Sequence, residues 1–163
     1  MKISSGVEWS AHACALLGVL PPGKSLSADA IAEFHDVPGA YMAKQMQLLA
    51  RGGVVKTMRG RNGGYALDRA PTEITMAEIY KAVEGAGPSF LCTEIRQNGP
   101  CGAARQDCKK PCGVASVFHD AEREYLRALA QTSVADIMGD AARNLTPERA
   151  IKLANWLNDA ANG

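Results

Sequence analysis

The stretch from Phe90 to Val114, FLCTEIRQNGPCGAARQDCKKPCGV, constrains this chain more than any other. Four of the five cysteines stand in it, Cys92, Cys101, Cys108 and Cys112, at spacings of x8, x6 and x3. Prolines, glycines and basic residues fill the rest, without apolar periodicity. A segment with so little to bury needs another source of order, and clustered cysteines offer two: a metal centre or disulfides. The loop divides the chain into residues 1–85 before it, the loop itself at 86–113, and residues 114–163 after it.

The 163 residues are 47% apolar, enough for a core, and 6% aromatic, which favours close-packed helices over a β-sandwich. A net charge of +1 names no partner, but its distribution does. Between Pro38 and Arg69 stand Lys44, Arg51, Lys56, Arg59, Arg61 and Arg69 against Asp68 alone, a local positive field suited to phosphates. No run is long enough to span a membrane, and Glu8 and His12 interrupt the N-terminal apolar run where a secretory leader is unbroken. The expected location is the cytoplasm of a bacterium. In that reducing compartment clustered cysteines bind metal or cycle redox states more often than they form structural disulfides.

Residues 4–20 read as a helix with Trp9, Ala13, Leu16, Leu17 and Leu20 on one face. Cys14 falls in its core. Glu8 and His12, four apart, share a neighbouring stripe, open to two roles: an exposed polar pair, or an oxygen and a nitrogen offered to one metal. A short helix at 28–34 follows Ser27, then a bend at Phe34-His35-Asp36. Pro38 opens a third helix to about Ala50, with Met42, Met46 and Leu49 facing inward. Two helices joined by a tight bend, the second starting with Gly39 and Ala40, predict a helix-turn-helix. Val54-Val55 and Tyr65-Ala66-Leu67 predict two strands joined through Asn62-Gly63, a basic wing carrying Arg59 and Arg61. No Lys-Ser/Thr follows these glycines, so they do not read as a phosphate-binding loop.

Thr75 caps a helix to Glu84, with Met76, Ile79, Tyr80 and Val83 inward. Beyond the loop, Val114, Phe118, Ala121, Tyr125 and Ala128 alternate in steps of four and three. That stripe fits a dimerisation helix crossing its partner, or one packed on its own domain. Ser133 to Ala142 and a last helix after Thr146-Pro147-Glu148 complete the chain, the latter packing through Ile151, Ala154, Trp156 and Leu157. The expected class is mainly α, a winged helix-turn-helix with a small β-hairpin wing and a long dimerisation helix.

The order of these parts, with VEWSAH at 7–12, HDVPGAYMAKQMQLL at 35–49 and CTEIRQNGP at 92–100, resembles the IscR/NsrR-type family of bacterial transcription regulators. It is most similar to the redox-sensing RsrR-type branch. The resemblance implies a homodimer on a near-palindromic double-stranded DNA operator, acting as a repressor and not as an enzyme. Tyr41, Lys44 and Gln45 would enter the major groove, with Arg59, Arg61 and Asn62 near the minor groove. It also implies an iron–sulfur cluster, and Glu8 stands where some members supply a carboxylate. The expected ligands are Cys108 and Cys112, with Glu8 and His12 from the partner protomer. Cys92 and Cys101 are alternates or redox-active thiols. Lys109 and Lys110 beside Cys108 favour its thiolate. Mixed thiolate, carboxylate and imidazole ligation suits [2Fe–2S] better than [4Fe–4S]. Trp9, beside Glu8, is a candidate lever. The competing readings are a cluster-free thiol sensor, a structural zinc site (though C-x₂-C knuckles are absent) and an electron-transfer or thiol enzyme.

Overall fold

A computed structural model describes residues 3–60 and 63–161. Helix α1 (Ser5–Gly18) starts at Ser4, whose hydroxyl donates to Glu84 at 2.5 Å rather than capping its own helix. Helix α2 (Ala28–His35) is capped by Ser27, which accepts from the Ala30 N–H. Asp36 ends α2 in the left-handed conformation (φ 51°), turning the chain into α3 (Gly39–Arg51). Pro38 is the residue before the first helical turn of α3, one position earlier than the sequence suggests.

Strands β1 (Val55–Met58) and β2 (Gly64–Leu67) pair antiparallel with Val55 opposite Leu67 and Met58 opposite Gly64. Leu26 forms a single bridge to the other edge of β2, exchanging backbone hydrogen bonds with Tyr65 at 3.1 and 2.8 Å. A Cβ on Gly64 would collide with the Leu26 carbonyl, so only glycine lets this edge close. Thr75 and Glu78 form a reciprocal cap on α4 (Met76–Glu84), satisfying two backbone donors at its start.

The core lies where α1, α2, α3, α4 and the hairpin meet. Leu26, Ile31, Met42, Met46, Leu49, Val54, Ile74 and Ile79 are fully buried in it. Each such side chain contributes roughly 1.5–3 kcal/mol of burial. Helix α5 (Gly113–Leu129) is built differently. Ala115 is its one buried residue, and Val114, Val117 and Phe118 are more than half exposed. Of the predicted stripe only Tyr125 is half-buried, edge-on to Tyr80 at 5.3 Å. The face turned to its own chain runs through Ala115, His119, Glu122 and Leu126 instead.

Helices α6 (Val134–Arg143) and α7 (Pro147–Ala160) do not continue away with α5. Val134 enters the core, its N–H donating to the Ile74 carbonyl at 2.9 Å, and Met138 packs against it. Trp156 of α7 meets Phe34 of α2 at 4.7 Å. Burial therefore packs α6 and α7 against the same core as α1–α4. On α7, Leu153, Trp156 and Leu157 pack, whereas Ile151 (62% exposed) and Ala154 face solvent. No helix among the described residues is long and apolar enough to cross a membrane.

Candidate metal centre and nucleic-acid interface

The outer face of α3 is set by what its inner face buries. Met42, Met46 and Leu49 point to the core, leaving Ala40, Tyr41, Lys44, Gln47 and Arg51 exposed. Gln45 is not among them. It is 2% exposed and packs against Gly6 of α1, where an added Cβ would approach its Oε1 to 3.0 Å. As a groove-reading residue it is therefore a misassignment: the amide sits between two helices. Gln47, three residues after Lys44, is the glutamine on the exposed face. It was legible as the i+3 neighbour of Lys44. At the wing tip Arg59 is exposed, whereas Arg61 and Asn62 lie outside the described residues.

Glu8 and His12 are both exposed on α1. Between them Trp9 is half-buried and meets the Tyr41 ring edge-on at 4.9 Å, joining α1 to α3. The His12 ring lies 5.8 Å from that of His35 at the end of α2. Burial, and then the neighbouring His12, push the His35 pKa down. Cys14 is fully buried, and burial pushes its thiol up to about 12, a core residue with no chemistry at neutral pH.

The loop is tethered to α5 by polar bonds. Ser89 donates to Glu122 through both N–H and hydroxyl, at 2.8 and 2.5 Å, and Phe90 stacks on Phe118 at 4.7 Å. Cys112 is the residue before α5, and its Sγ accepts the Ala115 N–H at 3.3 Å. That bond, the largest cause, holds the Cys112 thiol below its ordinary range. The Cys92 Sγ lies 3.7 Å from the Cys112 Sγ and 3.5 Å from Glu94 Oε1. The Glu94 backbone pulls Cys92 down, but Cys112, desolvation and the Glu94 carboxylate together raise it.

Among the described residues Cys92, Glu94 and Cys112 are the one group of three donors converging within 4.8 Å. Cys108 is half-buried and Cys101 exposed, and neither joins it. Nor do Glu8 and His12. Cys112 is thus the expected ligand that the fold places in a donor group, beside Cys92, one of the two alternates. Glu94 is the donor that spacing did not reveal. Its clue is the alternation Cys-x-Glu, but its approach depends on a left-handed backbone (φ 51°). Arg96 fixes the carboxylate with bonds of 2.9 and 2.7 Å to its two oxygens and ties the turn to the Lys110 carbonyl. Thiolates, with carboxylate and imidazole available on α1, are a donor set that fits an iron–sulfur cluster.

The fold and the chain have clear counterparts. The chain is 30% identical over 141 residues to slr0846 of Synechocystis sp., covering 86% of this chain and 90% of that protein. It is 27% identical over 138 residues to the HTH-type transcriptional regulator NsrR of Shouchella clausii, covering 85% and 89%. The solved structure of T. potens IscR superposes with a TM-score of 0.62 at 23% identity, over 86% of this chain and 88% of that one, a likeness of fold. The profile described as Rrf2, iron-dependent transcriptional regulator, matches residues 3–140. By that match over most of its length, this chain belongs to the Rrf2 family of transcriptional regulators.

Proposed function

We propose that this regulator is a redox-responsive repressor that senses through a [2Fe–2S] cluster shared between two protomers on a double-stranded DNA operator in the cytoplasm. Its ligands are Cys112 with Cys108, or with an alternate, Cys101 or the Cys92 that lies 3.7 Å from it, of one protomer, and Glu8 and His12 of the other. The observation that carries this reading is the separation of the donors. Glu8 and His12 are exposed on α1 and, among the described residues of one chain, belong to no donor group of three. The cysteine loop ends beside an apolar α5 face, Val114, Val117 and Phe118, that the chain leaves more than half exposed. A second copy would cover that face and bring the two half-sets together.

When bound, the cluster supplies a one-electron redox couple, its potential raised by oxygen and nitrogen ligands. The chain's part is mechanical. Glu8 and His12 hold α1 at the interface, and Trp9 passes a displacement of α1 to α3 through Tyr41. His12 does the same toward α2 through His35. Half-sites lie about 34 Å apart, so a shift of a few ångströms between the two α3 helices costs affinity. Tyr41 and Lys44 enter the major groove, and Arg59, Arg61 and Asn62 flank the minor groove.

Anaerobic purification followed by absorption and EPR spectra, oxidised and dithionite-reduced, tests this. Reversible bleaching with a reduced S = ½ signal is expected, and Glu8→Ala or His12→Ala should abolish redox-dependent DNA binding. A four-iron spectrum, or variants that still respond, would overturn it. One distance favours a second reading, a cluster-free thiol sensor: the 3.7 Å approach of Cys92 and Cys112. There hydrogen peroxide would oxidise both thiols to a disulfide, leaving two waters. Colourless anaerobic protein that loses two free thiols per chain on peroxide treatment would select it.

A further inference from the structure

We propose that Ser10 and Gln45 form a two-position joint between α1 and α3. In the position seen here their polar atoms are apart, and in a second the Ser10 hydroxyl donates to Gln45 Oε1. Among the described residues, three buried side-chain polar atoms have no hydrogen-bond partner: Ser10 Oγ, Gln45 Oε1 and His35 Nε2. Ser10 is 0% exposed and Gln45 2%. Native folds leave few such atoms, and each calls for a reason. Here Ser10 stands on α1 and Gln45 on α3, while His35 ends α2 beside the His12 ring of α1.

The crossing of α1 over α3 brackets the pair. Gly6, one turn before Ser10 on the same face, lies against the Gln45 carboxamide, where an added Cβ would stand 3.0 Å from Oε1. Trp9, the residue before Ser10, meets Tyr41, one turn before Gln45. Four residues span about 6 Å of helix, so the hydroxyl lies about one turn along α1 from the point that faces the carboxamide.

The two groups are complementary, since a hydroxyl offers the proton that a carbonyl oxygen lacks. Both are enclosed and neither turns to water, so pairing them takes a shift of α1 on α3. A buried polar atom left unpaired moves an equilibrium by roughly 5- to 150-fold. Packing favours the position seen here and the unmade bond favours the other, which keeps the two close in energy. This deepens the proposed passage of movement from α1 to α3 and rests on that reading, but not on the identity of the cluster. Ser10 and Gln45 are positioning residues, because neither faces the groove.

The test is nitrogen relaxation NMR on the isotope-labelled full-length protein. Millisecond exchange is expected at the Gly6 amide and the Gln45 carboxamide. At Gly6 it should disappear in Ser10→Ala and in Gln45→Met, which keeps the volume without the polar atom. A DNA duplex enriched by the protein from a random-sequence pool should shift the Gln45 carboxamide signal in the parent and not in Ser10→Ala. Each substitution should change affinity for that duplex at least about 5-fold, with base preference unchanged. The double substitution should do no more than either alone, since one bond is lost only once. A merely structural pair would alter the melting temperature and leave exchange and affinity as they were. Absent exchange, exchange that persists in Ser10→Ala, or a water molecule held at the Gln45 carboxamide would overturn the proposal. Failure of the DNA reading would appear separately, as a pool with no enriched duplex.

Discussion

Leu49 and Cys112 are both buried, for different reasons. Leu49 is enclosed by helices that each bring an apolar face to the same core, so many small contacts hold it. Cys112 is enclosed by a loop that buries no other residue between positions 86 and 111 and is held by a few polar bonds around Arg96, Glu94 and Ser89. The first kind of order is redundant and does not rest on metal or redox state. The second rests on single side chains and suits the metal- or redox-responsive role proposed for the loop.

The largest test of that contrast is a pair of substitutions. Leu49→Ala should cost about 2–5 kcal/mol and lower the thermal midpoint of the whole domain. Cys112→Ser keeps a capping oxygen for the Ala115 N–H and should shift stability by no more than about 0.5 kcal/mol. It should nevertheless remove the metal-dependent absorption. A Cys112→Ser protein that melts like Leu49→Ala would make the loop part of the core and break the distinction.

A smaller effect separates the two faces of α3. Lys44→Ala should weaken operator binding across sequences and reduce the slope of log affinity against log salt by about 1. Gln45→Ala should leave that slope intact and lower the melting temperature instead. A Gln45 variant with altered base preference and unchanged stability would return it to the reading set.

The smallest concerns the cap of α4. Glu78 would be raised by its partial burial, but hydrogen bonds from Thr75 and Arg69 outweigh this and leave its carboxyl below the usual range. Between the two pKa values the unfolded chain binds the extra proton. The stabilisation is therefore present above the ordinary carboxylate range and lost as pH falls through the depressed value. Glu78→Gln should destabilise by about 1 kcal/mol at pH 7, and the difference from the parent should vanish in acid melts.

Much of this was legible in the residue pattern. Met42, Met46 and Leu49 announced the buried face of α3, Thr75 and Glu78 the start of α4, and the cysteine spacing a segment ordered by chemistry. Gln45 was not, because it lies on the border between that face and the exposed one. Only the close approach of Gly6 turns it inward. The stripe on α5 was seen but its orientation was not, since an amphipathic pattern does not say whether its apolar side meets its own chain or another.

Local and periodic information determined the helices, the hairpin and their apolar faces, because neighbouring residues share one backbone geometry. What joins distant positions had to come from the tertiary structure. Leu26 closes on the wing, Val134 returns to the core, and Cys92 meets Cys112 across twenty residues. The last of these depends on a left-handed turn at Glu94 and on one bridging guanidinium, Arg96. Neither leaves a periodic mark in the sequence, so the donor group became visible only once the chain was folded.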